Sequence, residues 1–157
     1  MVYAEYESMV IQLQTLGLVI IAAMLGGVIG FEREQAEKPA GLRTHMIVAG
    51  TSALLIGLTN LIAPNLSINA EYVRIDPIRM ITAIVTGITF LGAGTIIRDQ
   101  TGIEGLTTAA SLLFVAALGV TVALSQFALA IGLTILNLVI LHGIKFFEAE
   151  AMKKSEE

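Results

Sequence analysis

The sequence predicts an all-α integral membrane protein, a polytopic bundle of about five transmembrane helices with the N-terminus outside and the C-terminus inside. The overall composition, the length of the apolar windows and the placement of lysine and arginine lead to this class. Hydrophobic residues make up 55% of the 157 residues and charged residues only 14%, with a mean hydropathy of +0.83. A soluble domain carries about 25% charged residues, so this composition excludes a soluble domain.

Five apolar windows are long enough to cross a membrane, which takes about 20 residues. The windows are Val10 to Phe31, Thr44 to Ala63, Met80 to Ile97, Leu106 to Ser125, and Phe127 to about Ile144. Because they occupy most of the chain, we expect residues 1–147 to form one transmembrane domain and residues 148–157 a short charged cytoplasmic tail. The first window is too long for a cleaved signal peptide and no positive charge precedes it, so we expect it to be retained.

The lysines and arginines predict the orientation, because the cytoplasmic loops of membrane proteins are enriched in them. An outside N-terminus places only Arg74 and Arg79 outside and the other seven basic residues inside. The chain has no cysteine, which excludes disulfides and thiolate metal sites.

Proline and glycine predict the connections. Pro39 and Gly41 indicate a sharp inner turn after a first helix that continues to about Glu37. Asp76 and Pro77 have the pattern of an N-cap and a first helical position, so we expect helix 3 to begin there. A long outer loop is predicted from Pro64 to Arg79, an inner loop follows helix 3, and helices 4 and 5 are expected to form a tight antiparallel hairpin.

Small residues predict where helices approach closely, because membrane helices associate through close packing. Their spacing on helices 1, 3 and 4 predicts a tight bundle of these three helices. Helix 3 also holds several glycines and threonines. A locally unwound, ion-coordinating segment is one interpretation of that pattern, but a regular helix is favoured because glycine is frequent in membrane helices. The predicted packing residues are Gly26, Gly30, Gly87, Gly92, Gly94, Gly105 and Ala109.

Charged residues collect at the predicted inner ends of the helices. They form either a polar network that binds a cation, a lipid head group or a partner protein, or an ordinary interfacial anchor. Burying an acidic side chain beside Gly30, where helices approach closely, costs free energy unless the acid is paired. We therefore expect Arg33 and Arg43 to be the partners. The inner group comprises Glu32, Arg33, Glu34, Arg43, His45, Arg98, Asp99 and Glu104.

Magnesium prefers carboxylate oxygens and retained water. The candidate ligands are Glu32, Glu34, Asp76 and Asp99, although Asp76 lies on the opposite rim from the others. No carboxylate or lysine lies in the middle of a predicted span. This argues against a cation pathway, unless backbone carbonyls form one. We find no motif for a nucleotide, a zinc ion or a catalytic triad, so we expect neither an enzyme nor a cofactor.

Three separated motifs carry a family resemblance: "GGVIGFERE…KPAGLRTH", "DPIRMITAIVTGITFLGAG" and "GLTTAAS". In order and spacing they resemble the membrane domain of the MgtC/SapB family, from about Leu18 to Gly119. The chain departs from the family pattern at Ala83, Thr86, Thr89 and Leu113, where members usually have Gln, Ser, Gly and Trp. The motif and rim residues that we single out as functional are Glu32, Arg33, Glu34, Arg43, Thr44, Asp76, Arg79, Arg98, Thr107 and Thr108.

The resemblance implies a multi-pass protein of the inner (plasma) membrane that serves magnesium homeostasis and adaptation to low magnesium. In pathogens the family is tied to growth inside host cells. It also implies that the protein regulates other membrane proteins, among them the proton-driven ATP synthase, and we expect no nucleic-acid partner. Two alternatives stay open: a transporter or channel for magnesium, another ion or a small solute, and a structural homo-oligomer that assembles through the helix 1 stripe. Better-studied members carry a cytoplasmic domain after the fifth helix, which we do not expect in this chain.

Overall fold

The computed structural model describes the backbone of residues 2–66, 76–100 and 102–154, and side chains within 5–62, 76–100 and 102–143. The predicted all-α fold with five helices is confirmed for these residues. A short antiparallel hairpin of strands β1 and β2 joins the third helix to the fourth. In chain order the elements are α1 (Val2–Gln35), α2 (Leu42–Leu66), α3 (Pro77–Gly94), β1 (Ile97–Arg98), β2 (Ile103–Glu104), α4 (Leu106–Ala123) and α5 (Phe127–Lys154).

Three of the helices are long and apolar enough to cross a membrane. They are Glu5–Gln35, Leu42–Ile62 and Leu106–Ala123, with mean hydropathies of 2.0, 1.6 and 2.0. Ile78–Gly94 and Phe127–Gly143 are shorter apolar helices of at most 17 residues. At 1.5 Å per residue, each of these apolar stretches extends about 26 Å, slightly less than a hydrocarbon core of roughly 30 Å, and the α5 helix continues beyond its stretch to Lys154.

The packed centre consists of α1, α2 and α4. The most extensive contacts join α1 to α2, followed by those of α2 and α1 with α4, whereas α3 packs mainly on α4. The predicted central bundle of helices 1, 3 and 4 is therefore wrong, because α2 takes the place assigned to helix 3. The reason is a further small-residue stripe, which lies on α2 and was not among the predicted packing residues: Ala49, Ala53 and Gly57, at spacing four.

The α2 stripe brings the backbones of neighbouring helices close together. Ala49 and Ala53 are 0% and 1% exposed. A Cβ at Gly57 would overlap the side chain of Thr15 on α1, and a Cβ at Gly119 on α4 would overlap the Ala49 carbonyl oxygen. Larger residues at these positions would push α1 and α4 away from α2.

Helix α3 lies at the edge of the bundle and starts as predicted. Asp76 Oδ1 accepts a hydrogen bond from the Ile78 N–H at 3.0 Å, which confirms the N-cap. Gly92 faces Ala109 on α4, where a Cβ would lie 3.3 Å from the Ala109 Cβ. Gly87 and Gly94 have no heavy atom within 4 Å of such a Cβ, so neither packs closely against another part of the described chain.

The backbone of α3 is regular, as the favoured interpretation predicted. The hydroxyls of Thr82, Thr86 and Thr89 donate to carbonyl oxygens four residues earlier, at 2.7 to 2.9 Å. This back-bonding satisfies each hydroxyl within its own helix, which suits a threonine exposed to lipid.

The connections differ from the predicted ones in four places. Helix α1 ends at Gln35, before Glu37, which has a positive φ of 54°. The inner loop after α3 contains the β hairpin. Helix α5 runs to Lys154, through most of the predicted tail. Of the predicted outer loop, residues 67–75, with Arg74, lie outside the described residues, and α2 continues through Pro64 to Leu66.

Candidate functional site

Two charged side chains are buried at the end of α1. Glu32 and Arg33 are 6% and 2% exposed. The Arg33 Nη2 donates a hydrogen bond to Glu32 Oε1 at 2.8 Å, and Nε donates to Oε2, so the pair is bidentate. A two-bond ion pair offsets part of the cost of removing both charges from water. The expected pairing by Arg33 is confirmed, whereas Arg43 is exposed and forms no ion pair among the described residues.

Glu34 closes the turn between α1 and α2. Its Oε2 accepts a hydrogen bond at 2.8 Å from the backbone N–H of Leu42, the first residue of α2. A carboxylate at a helix N-terminus also interacts favourably with the helix dipole. Gly41 makes room for this contact, because a Cβ there would lie 2.7 Å from Glu34 Oε2. Glu34 therefore holds the turn that Pro39 and Gly41 predict.

His45 connects α2 to α4 inside the bundle. Its side chain is fully buried, with Nδ1 2.9 Å from the Gly41 carbonyl oxygen and Nε2 3.0 Å from Ser111 Oγ. The two residues are 66 positions apart in sequence, so this contact fixes how α4 sits against α2. Ser111 Oγ also lies 2.9 Å from the Thr108 carbonyl oxygen.

The partners of His45 determine its neutral tautomer. A carbonyl oxygen only accepts, so the hydrogen of a neutral ring lies on Nδ1 and points to Gly41. Nε2 then accepts the hydroxyl hydrogen of Ser111. A proton added to Nε2 would require that hydroxyl to turn to the Thr108 carbonyl, which lies within reach. The charge state of His45 and the orientation of the Ser111 hydroxyl are therefore linked.

Two glycines of α1 let α2 approach the buried pair. A Cβ at Gly30 would lie 2.8 Å from both His45 Cβ and Leu42 Cα, and a Cβ at Gly26 would lie 2.7 Å from Ala49 Cβ and from the His45 carbonyl oxygen. Gly26 and Gly30, two of the predicted packing residues, thus lie where the backbones of α1 and α2 approach each other closely. Both glycines face α2, which the predicted bundle of helices 1, 3 and 4 left out, and Gly26 also faces Val115 of α4.

The hairpin after α3 carries two more of the predicted residues. Arg98 is exposed on β1, and Asp99 begins the turn, where its Oδ1 accepts from the Gly102 N–H at 3.0 Å. Gly105 follows β2 with a φ of 86°, and a Cβ there would collide with the Thr95 carbonyl oxygen. Gly105 therefore lets the hairpin pass close to the end of α3 before α4 begins.

The remaining predicted residues are spread over the molecule. Asp76 and Arg79, at the start of α3, are exposed and lie 3.9 Å apart (Oδ2 to Nε). Thr44 is exposed on the first turn of α2, as is Thr107 on the first turn of α4, whereas Thr108 is 1% exposed. The structure thus joins Glu32 to Arg33 and places Thr108 beside Ser111. Four other predicted residues lie apart from these two pairs: Asp76, Arg79, Arg43 and Thr44.

The four candidate magnesium ligands do not converge. No group of three or more His, Asp or Glu side chains within the described residues is arranged to hold a metal ion. Three of the candidates, Glu34, Asp76 and Asp99, accept backbone N–H bonds at a turn or a helix start. The donor set thus fits local capping better than a shared metal site.

Sequence reasoning missed the link between His45 and Ser111. His45 belongs to the predicted inner group of charged residues, and the sequence leaves open whether the Ser111 hydroxyl bonds within its own helix or to a neighbouring helix. One signal was available in the sequence. His45 and Ser111 lie near the predicted inner ends of helices 2 and 4, so direct packing of these two helices would bring the side chains together. Without knowing that α2 and α4 are neighbours, the pairing could not be deduced.

Comparisons with known proteins place these features in a family context. A profile of the MgtC family matches residues 19–150. The "Putative magnesium transporter YhiD" of Escherichia coli K12 is 38% identical over 124 residues, covering 78% of this chain and 57% of that protein. "Protein MgtC" of Salmonella typhimurium LT2 is 39% identical over 119 residues, covering 76% and 47%. The chain thus spans about half the length of the curated relatives it matches, and no solved structure matches it.

Proposed function

Because this chain belongs to the MgtC family, we propose that it is a modulator in the inner membrane that supports adaptation to low magnesium by binding other membrane proteins. The observation that carries the proposal is the outer face of α3. That helix packs mainly on α4, and its small and hydroxyl residues away from α4 are exposed. The exposed group comprises Thr82, Ala83, Thr86, Gly87, Thr89, Ala93 and Gly94, and the ring of Phe90, 80% exposed, projects from the same face.

An exposed face of small residues around one protruding phenylalanine favours a partner helix that has room for that ring over lipid alone. Small residues let two membrane helices approach until their backbones are in contact, and this close packing drives association where the hydrophobic effect is absent. The α3 threonine hydroxyls already donate hydrogen bonds to carbonyl oxygens of their own helix. An apolar partner helix would therefore leave none of these hydroxyls without a hydrogen bond. The proton-driven ATP synthase is the partner that the family resemblance implies.

The test compares two exposed glycines. Gly87 on α3 and Gly132 on α5 both have nothing within 4 Å of an added Cβ, so a side chain can start at either position without meeting the described bundle. We expect Gly87→Leu to abolish growth in low magnesium, in a strain without its own MgtC family member, and Gly132→Leu to preserve it. Equal growth of the two variants, at equal membrane abundance, would contradict a docking role for α3.

A transporter is the second candidate, and the name of the Escherichia coli relative favours it. Magnesium uptake into proteoliposomes that contain the purified protein tests this alternative against empty liposomes. Saturable uptake that a Glu32→Gln, Asp76→Asn double variant abolishes would establish a transporter and displace the modulator. We expect no uptake above that of empty liposomes.

The structural oligomer has less support. Its proposed contact was the helix 1 stripe, but Ala22, Gly26 and Gly30 are buried inside the chain's own bundle. The stripe is therefore occupied by α2 and α4 and offers no surface to a second copy.

A further inference from the structure

A cleft of about 580 Å³ lies at the rim where α1 ends and α4 begins. The turn after α1, strand β2 and α5 complete its walls. Arg33, Lys38, Thr107 and Thr108 contribute polar groups, and Ile140 and Leu141 of α5 form an apolar side. A cleft with one polar and one apolar wall at the end of membrane helices suits an amphipathic ligand.

The first turn of α4 faces this cleft without an N-cap side chain. Its N-cap residue is Gly105, which forms no side-chain cap bond. The close passage of the Thr95 carbonyl oxygen requires glycine there, so no serine or aspartate could take this role. The first N–H groups of a helix have no partner within the helix, and they attract anions together with the helix dipole.

The Thr108 hydroxyl is a second, independent feature of the cleft. Thr108 is 1% exposed and lines the cleft, and within the described residues its Oγ1 forms no hydrogen bond. By contrast, Thr121 further along α4 donates to the Ala117 carbonyl oxygen at 2.9 Å. Every fully enclosed side-chain polar atom of the described residues has a partner, so the Thr108 Oγ1 is not fully enclosed, and Thr108 lines the cleft. A buried hydroxyl without a protein partner is an unused hydrogen-bonding group at the start of α4.

The charges around the cleft restrict the ligand. Lys38 is exposed on the turn, and the charge of Arg33 is balanced by Glu32. Glu37 and Glu104 also border the cleft, and both are exposed to water, which weakens their repulsion of an anion. This mixture suits a phosphate diester, which carries one negative charge, better than a polyphosphate.

We propose that the cleft binds a phosphate ester whose phosphate oxygens accept hydrogen bonds from the first-turn N–H groups of α4 and from the Thr108 hydroxyl. Lys38 supplies the nearby positive charge, and the apolar wall of Ile140 and Leu141 contacts the organic part. The phosphate belongs either to a phospholipid head group or to a soluble phosphate ester, since both present the same chemistry. This site is separate from the α3 face, so either proposal can fail without the other.

The test follows the backbone amide signals of Leu106, Thr107 and Thr108 by NMR, with the ¹⁵N-labelled protein in a phosphate-free detergent. The probes are inorganic phosphate, a short-chain phosphatidylglycerol and the matching diacylglycerol without phosphate. We expect saturable shifts with phosphatidylglycerol and none with the diacylglycerol. Saturation with inorganic phosphate as well would show that the site takes soluble phosphate. The absence of saturable shifts with both phosphate probes at millimolar concentration would overturn the proposal.

Matched variants distinguish the loss of a contact in the cleft from a general effect of substitution on binding. Thr108→Val should weaken binding about tenfold, the value of one hydrogen bond to a charged group, while Thr121→Val on the same helix should leave it unchanged. Lys38→Gln should weaken binding severalfold, and Arg98→Gln, an exposed residue outside the cleft, should not. Lys38 is exposed, so its variant tests the site even where Thr108→Val disturbs packing. Equal affinities within both pairs of variants would contradict the proposal.

Discussion

At the scale of single residues, the Glu32–Arg33 pair is the most consequential feature of the rim. Both side chains are buried, so removing the guanidinium leaves a carboxylate away from water. We expect Arg33→Met to lower the free energy of unfolding in detergent by about 3–5 kcal/mol. The double variant Glu32→Gln, Arg33→Met should lose less, because it removes both charges together.

The control for this prediction is Arg43→Met. Arg43 is exposed close by in the chain, so its loss should change the free energy of unfolding by no more than about 0.5 kcal/mol. A double-mutant cycle over positions 32 and 33 measures the coupling directly. A single variant at Arg33 that is as mild as Arg43→Met would show that the buried pair contributes little.

At the scale of elements, the α1–α2 interface depends on glycines that admit backbone atoms. A Cβ at Gly26 would lie 2.7 Å from the His45 carbonyl oxygen, and backbone cannot yield as a flexible side chain does. We expect Gly26→Ala to cost about 1–3 kcal/mol of unfolding free energy, measured by unfolding in mixed detergent micelles.

Gly87→Ala is the matched substitution on α3. It meets nothing within 4 Å, and alanine is the better helix former, so stability should stay the same or rise by up to about 1 kcal/mol. If Gly26→Ala and Gly87→Ala have the same free energy of unfolding, the close approach of α2 at Gly26 does not restrict which residue fits there.

At the scale of the whole molecule, the predicted N-out, C-in orientation has a direct test because the chain has no cysteine. Single-cysteine variants at exposed positions report which side of the membrane each end of the bundle faces. We expect a membrane-impermeant maleimide to label Ser8→Cys in intact cells, and to label Glu37→Cys and Arg98→Cys only after the membrane is opened. Labelling of Glu37→Cys in intact cells would reverse the orientation.

Much of the fold follows from the sequence, and the site follows less well. Apolar windows placed all five helices, and Asp76–Pro77 located the start of α3, because these signals are local. The neighbours of each helix are not local information. Ala83 and Gly87 of helix 3 have the same spacing as Gly26 and Gly30 of helix 1, yet Gly87 faces outward and Gly26 inward, and only the three-dimensional arrangement distinguishes them. For the same reason, the contact of His45 with Ser111 could not be derived from their positions in the chain.

The short turn between α1 and α2 has a consequence for how the protein is made. Glu34 and Leu42 lie eight residues apart, so the turn can close as soon as both helices have left the ribosome. Ser111 follows His45 by 66 residues, a delay of about 3 to 13 seconds at usual rates of synthesis. During that interval the imidazole Nε2 lacks its serine partner, and we expect the first two helices to form a template on which α4 later docks. Substitutions at Gly26 or Gly30 would therefore act at the insertion of the nascent chain, before the fourth helix exists.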